Sequence, residues 1–183
     1  MSRLAKRPMP IPAGAKLTLK GQTLKVIGPK GVLATRLPSN VSVSMDESGQ
    51  NLLFTCQNEQ DRKNKQMHGL SYGIIGNMLT GVTLGFEKHL ELQGVGYRAA
   101  KQGDNLSINI GFSKPVIFEP PRGIKLDLLN PTNLLVRGID LQQVGAIAAK
   151  IRAIRPPDAY KGKGIRYGDE QVRLKAGKGG KKK

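Results

Sequence analysis

The sequence predicts an α+β protein of two tandem similar domains, each a small, mostly antiparallel sheet packed on one helix. Three observations carry that class. The chain repeats itself, the apolar period switches from two to about 3.6 within each copy, and the strands precede the helix rather than alternating with it. Gly21-Gln22-Thr23-Leu24-Lys25-Val26 recurs as Gly103-Asp104-Asn105-Leu106-Ser107-Ile108, and Pro38 with Val41 and Val43 recurs as Pro121 with Ile124 and Leu126. Leu52-Leu53 then matches Leu134-Leu135. Matched positions lie 82 or 83 residues apart through the strands and about 77 apart in the helix that follows, so each copy is one supersecondary unit. The expected domains are a first repeat with a basic N-terminal extension (1–82), a second repeat (83–157), and a basic loop and tail attached to the second (158–183).

The elements follow in order. Leu17, Leu19 and then Leu24, Val26 alternate with polar residues, Gly28-Pro29-Lys30-Gly31 marks a turn, and Val41, Val43 resume the alternation. From Asp61 onward Met67, Leu70, Ile74 and Met78 recur every three or four residues, which predicts a helix burying that stripe. Leu79 to Phe86 is apolar and glycine-rich and reads as a packed connector. The second copy repeats the pattern with Asp140 as N-cap and Leu141, Val144, Ile147, Ile151 and Ile154 as the buried stripe, stopped by Pro156-Pro157. The last seven residues, Gly177 to Lys183, are expected to lack order until a partner supplies it.

Charge narrows the function. Of 183 residues, 30 are Lys or Arg and 13 Asp or Glu, a formal net charge of +17. Residues 1–45 hold eight basic and no acidic residues, residues 150–183 hold twelve and three, and the middle balances at ten and ten. Clustered cations release condensed counterions from a phosphate backbone, so a nucleic acid is the expected partner. An anionic membrane fits less well, because no apolar run nears 18 residues and neither end forms a basic amphipathic helix. Cys56 has no partner for an internal disulfide and reads as a core thiol of a reducing compartment. Met1 to Pro12 has no apolar core of the kind a signal peptide needs.

Catalytic and cofactor readings find little support. Gly94-Val95-Gly96-Tyr97-Arg98-Ala99 satisfies a dinucleotide fingerprint, but Lys101-Gln102-Gly103-Asp104 follows where a helix should run, which favours a glycine turn at a strand edge. His68 and His89 have no second His or Cys at ligand spacing, so no metal or other cofactor is expected. Glu87, His89 and Glu91 share one strand face and could form an acid/base cluster, yet no nucleophile accompanies them. Neither an enzyme nor a small-molecule site is expected.

The chemistry-bearing stretch is Ile154 to Gly168. Pro156-Pro157 stiffens the exit from the helix, and Lys161, Lys163 and Arg166 are interleaved with Gly162 and Gly164, so backbone and cations can both approach phosphates. Tyr160 and Tyr167 could stack on unpaired bases or pack the loop onto its own domain. Tyr160-Lys-Gly-Lys-Gly-Ile-Arg-Tyr167, together with Phe86-Glu-Lys-His-Leu-Glu-Leu-Gln-Gly94-Val-Gly-Tyr-Arg-Ala99 and the duplicated unit, resembles the bacterial family of large-subunit ribosomal protein six over nearly the whole chain. The family commonly has proline directly before the first tyrosine, where this chain has Ala159. The resemblance implies a structural protein of the cytoplasmic ribosome, bound to large-subunit ribosomal RNA and neighbouring large-subunit proteins near the factor-binding region at the stalk base. RNA contact would come from the second domain through Tyr160, Lys161, Gly162, Lys163, Gly164, Ile165, Arg166 and Tyr167, followed by Arg173, Lys175 and Lys178. Arg3, Lys6 and Arg7 are weaker candidates, and Arg62, Lys63 and Lys65 are expected to be a solvated face. A DNA-architectural protein and an RNA-processing enzyme using His89 are the rival readings.

Overall fold

The computed structural model describes residues 5–46, 49–58 and 60–177. It is α+β, with every described strand pairing antiparallel. The chain divides into two compact units, one holding the residues up to Gly85 and the other starting at Phe86, with Ile139–Leu141 grouping with the first.

In the first unit β1 (Met9–Pro10), β6 (Asn51–Cys56) and β5 (Val41–Met45) form one sheet in the order β1-β6-β5. A second sheet is the meander β2 (Lys16–Lys20), β3 (Thr23–Gly28) and β4 (Gly31–Arg36). Helix α1 (Arg62–Thr83) closes the core over Leu24, Val26, Val43, Leu52 and Phe54. The second unit repeats this plan. A meander of β8 (Arg98–Gln102), β9 (Asn105–Asn109) and β10 (Val116–Phe118) stands beside a four-stranded sheet of β11 (Ile124–Asn130), β12 (Asn133–Gly138), β7 (Phe86–Gln93) and β13 (Gly164–Tyr167), in that order. Helix α2 (Leu141–Ile154) covers it. In each copy, therefore, the strands are divided between two small sheets.

The repeat seen in the sequence is a repeat of geometry. Gly21 and Gly103 turn the corresponding hairpins at φ +58° and +63°, a left-handed conformation that glycine adopts without steric cost. The Val41 N–H donates to the Pro38 carbonyl at 3.1 Å and the Ile124 N–H to the Pro121 carbonyl at 3.2 Å, so each copy enters its next strand through the same turn. Leu52 and Leu134 are both 1% exposed.

Helix α1 departs from its expected face. Met67 and Leu70 are 38% and 53% exposed and Ile74 is half-buried, whereas Asn64, His68, Ser71, Ile75, Met78, Leu79 and Val82 face the core. The stripe has moved by one residue because the C-terminal half sets the roll of the helix. Burying Ile75, Leu79 and Val82 is worth about 1.5–3 kcal/mol each, more than the exposed faces of Met67 and Leu70 cost. Polar residues then enter the core at the other end, where Asn64 and one nitrogen of His68 find partners while His68 Nδ1 and the Ser71 hydroxyl have none among the described residues. His68 Nε2 lies 3.1 Å from the Phe54 carbonyl, and Asn64 accepts from Asn40 Nδ2 at 2.8 Å. The same apolar residues extend α1 through the expected connector, leaving Leu84-Gly85 as the link to β7. There Gly85, at φ +74°, ends the helix with its N–H on the Thr80 carbonyl. The Asp61 side chain caps the other end, accepting from the Lys63 N–H at 3.1 Å. In α2 the expected Val144, Ile147 and Ile151 are buried, with Leu141 and Ile154 half-buried at its ends. Cys56 is half-buried at the end of β6 rather than enclosed.

Candidate nucleic-acid interface

The segment after α2 is folded back onto its own unit by a chain of specific contacts. Pro156 and Pro157 cannot continue the helix, and the Ile165 N–H then donates to the Arg155 carbonyl at 2.8 Å. Between these points Asp158 closes the loop. Its N–H donates to the Lys163 carbonyl at 2.8 Å, its carbonyl accepts from the Gly162 N–H at 3.0 Å, and its carboxylate accepts from the Lys161 N–H at 3.0 Å. Gly164 makes the closure possible. A Cβ there would stand 2.5 Å from the Pro156 carbonyl oxygen and 2.7 Å from the Pro157 Cα, at φ +147°. The loop is a clip held by backbone.

From Gly164 the chain becomes β13 and pairs with β7, Ile165 opposite Leu92, Arg166 opposite Glu91 and Tyr167 opposite Leu90. Ile165 is 0% exposed, so its side chain faces the core and anchors the clip. Arg166 is compensated: Nε and Nη2 donate to Glu91 Oε2 at 3.0 and 2.8 Å. Tyr167 is half-buried against the core, with the Arg152 guanidinium 5.7 Å and the Lys88 ammonium 5.9 Å from its ring centre. Tyr160, by contrast, is 59% exposed on the outside of the turn.

The chain after β13 returns to the clip. The Lys175 N–H donates to the Ala159 carbonyl at 2.8 Å, and Leu174 packs against Gly162. Lys161, Lys163, Arg173 and Lys175 are all exposed around this contact, and none has a carboxylate partner among the described residues. Those four cations with Tyr160 form the outward surface, while Gly162, Gly164, Ile165, Arg166 and Tyr167 hold it in shape. Lys6 and Arg7 are exposed before β1, in the other unit. Arg3 and Lys178 lie outside the described residues, as does almost all of the tail expected to lack order.

Charged groups also brace the clip from below. Glu170 takes both Arg152 Nε, at 2.9 Å, and Arg152 Nη2, and its carboxylate accepts from the Tyr167 N–H at 3.2 Å. The hydrogen bond from Arg152 holds the Glu170 carboxyl below its ordinary range, and the same bond raises Arg152. Sequence reading missed Glu91, Arg152 and Glu170 as organisers. Glu91 and Arg166 are 75 residues apart, and no local pattern marks such a pair. Asp158 was missed as well, although a local signal marked it, since Asp after proline favours a turn closed by its own carboxylate.

The rival chemical readings lose their geometry. Glu87 bonds Arg137 at 3.2 Å and lies 3.7 Å from His89, while Glu91 serves Arg166, so no carboxylate of the expected acid/base cluster is left without a structural partner. Residues 94–97 turn between β7 and β8, Arg98 and Ala99 begin β8, and no helix follows. Among the described residues there is no cluster that could hold a metal ion, and no helix is long and apolar enough to cross a membrane.

The family described as Ribosomal protein L6 matches twice, over residues 11–85 and 93–168, once in each copy of the unit. A protein of Acaryochloris marina called large ribosomal subunit protein uL6 is 50% identical over 182 residues, covering 100% of both chains. Proteins of the same name from Nostoc sp. and Synechocystis sp. are 52% and 50% identical over 99% and 100% of this chain and 98% and 100% of their own.

Proposed function

This chain belongs to the ribosomal protein L6 family, and from that premise we propose that it is a structural protein of the large ribosomal subunit that grips large-subunit ribosomal RNA with the clip following α2. No chemistry is performed. The observation that supports this reading is the set of four uncompensated cations, Lys161, Lys163, Arg173 and Lys175, held on a clip that Gly164, Asp158 and Ile165 fix in shape. A clip already ordered before contact loses little entropy on binding, so more of the phosphate attraction appears as affinity.

The side chains then divide by role. Lys161, Lys163, Arg173 and Lys175 neutralise phosphates, with Lys178 continuing beyond the described residues, and Tyr160 offers its exposed ring to a base or sugar. Gly162 lets the backbone of the turn lie close to the RNA, and Gly164, buried against Pro156 and Pro157, keeps the clip closed. Arg166 and Tyr167 present their outer edges beside the clip, and Ile165 anchors it. Lys6 and Arg7, with Arg3, add a weaker contact from the first domain. The remaining parts of the proposal rest on family likeness: a place in the cytoplasmic ribosome near the factor-binding region at the stalk base, among other large-subunit proteins and within reach of translation factors.

A salt titration tests the clip. Binding to purified large-subunit RNA should weaken with rising salt at about 0.7–0.9 logarithmic units per phosphate contact, and Lys161→Gln with Lys163→Gln should flatten that slope by roughly 1.5. A slope unchanged in the double variant would remove the clip from the interface.

A further inference from the structure

The eight cations and absent carboxylates of residues 1–45 acquire a geometry in the first unit that the clip does not use. In an antiparallel sheet, residues directly opposite one another point to the same face, and alternate residues along each strand share it. The register therefore sorts the β2-β3-β4 meander into two faces. Leu17, Leu24, Val26 and Leu33 turn to the core. On the other face stand three rows across the strands: Lys16-Ile27-Val32, Thr18-Lys25-Ala34 and Lys20-Thr23-Arg36. All nine residues are exposed except Ile27, which is half-buried. The face holds four cations, two hydroxyls and no acid.

None of Lys16, Lys20, Lys25 and Arg36 has a carboxylate partner among the described residues. With about 3.4 Å per residue along a strand and about 4.8 Å between strands, the four Cα atoms fit a patch of roughly 13 by 10 Å. That is close to the screening length of about 8 Å at physiological ionic strength, so these charges repel one another in the free protein. Ordinary solvation of a sheet face does not require such crowding, and the second unit shows as much. On the outer face of its meander the register places Arg98, Ala100, Gln102, Asn105, Ser107, Asn109 and Ile117, a single cation among neutral groups. Two copies of one scaffold thus carry very different charge on the same face.

We infer that the outer face of β2-β3-β4 is a second phosphate-binding surface, separate from the clip, that lies against the sugar-phosphate backbone of folded RNA. The inference rests on the proposed function and extends it to the first domain. RNA is favoured over an acidic protein by the composition of the face. Lysine is depleted in protein–protein interfaces, while interfaces with nucleic acid are strongly basic and polar. Threonine hydroxyls between the cations suit phosphate oxygens and 2′-hydroxyls, and a flat sheet face suits the shallow minor groove of an RNA helix.

The test uses the full-length protein and purified large-subunit RNA. Lys16→Gln, Lys20→Gln, Lys25→Gln and Arg36→Gln together should flatten the salt slope by roughly 3, so that the affinity lost between 50 and 200 mM salt shrinks by roughly 60-fold. A variant with Lys16→Arg, Lys20→Arg and Lys25→Arg keeps the charge and should keep the slope, and Arg98→Gln should change it by no more than about one contact. Should the fourfold variant fail to fold, as judged by circular dichroism, Lys25→Gln with Arg36→Gln alone should flatten the slope by about half as much. An unchanged slope in a folded neutral variant overturns the inference. So does an unchanged slope combined with loss of co-sedimentation with large subunits, which would assign the face to an acidic protein. Because Lys161→Gln with Lys163→Gln is measured in parallel, failure of the clip and failure of this face are read separately.

Discussion

In the first unit the strand beside β6 is β1, two residues long, whereas in the second the strand beside β12 is β7, eight residues long and paired on its far side with β13. The two strands occupy equivalent places, since Met9 pairs with Leu52 where Leu90 pairs with Leu134. Their outer edges differ in chemistry. The Ile11 N–H points to β6, donating to the Gln50 carbonyl at 2.9 Å, so by strand alternation residues 8, 10 and 12 would point their N–H groups outward. All three are proline, and the outer edge has no donors there to offer another strand. Pro10 stands where the second copy has Glu91, the partner of Arg166. One scaffold closes its edge; the other accepts a strand and, with it, the clip. The difference teaches that a duplicated unit can diverge by edge chemistry while its core stays the same.

The comparison would break most visibly at Ile165. Ile165→Ala removes a fully buried side chain that ties β13 to the core and should cost about 2–5 kcal/mol of second-unit stability, seen as an earlier denaturant midpoint. RNA binding should fall with it. Among the described residues none of the first unit plays that part, so the first-unit amides should retain their hydrogen-exchange protection.

A smaller effect separates the copies by pH. Glu170 has a lowered folded pKa, so its contribution to stability is fully present above the unfolded value of about 4.3 and is lost as pH falls through the lower folded value. Acid unfolding of the second unit should therefore include a component that Glu170→Gln abolishes. Stability of the variant measured by thermal melting should lie below wild type at neutral pH and converge with it in acid. Persistence of the gap at low pH would show that the Arg152 contact acts through packing rather than charge.

The smallest effect concerns the helices. Met67→Gln with Leu70→Gln alters two exposed side chains of α1 and should change stability by less than about 0.5 kcal/mol each, whereas Val144→Ala in the equivalent helix removes a fully buried one. A loss of several kcal/mol at Met67 and Leu70 in equilibrium unfolding would restore the face expected from spacing alone.

That expectation shows where sequence reasoning is strong and where it stops. The turn at Gly28-Pro29-Lys30-Gly31, the alternation through Leu24-Val26 and Leu106-Ile108, and the stop at Pro156-Pro157 are local, and each was legible because backbone conformation and apolar period are written within a few residues. The helix of the first copy was legible as a helix but not in its roll, because a stripe of Met67, Leu70 and Ile74 and one of Ile75, Leu79 and Val82 differ by a single residue. The sheet decided between them by the apolar area it could cover.

The interface divides along the same line. Sequence alone marked the glycine-hinged basic stretch after the second helix and the cation excess at both ends, since residue type and net charge need no fold. Only the tertiary structure decided which cations are free. Arg166 is neutralised by Glu91 across two strands, Ile165 points inward, Lys175 is brought back to Ala159, and Lys16, Lys20, Lys25 and Arg36 are sorted onto one face. These are consequences of register and of strands far apart in the chain. Pairing of that kind is selected by the whole core at once, which no short run of residues can encode.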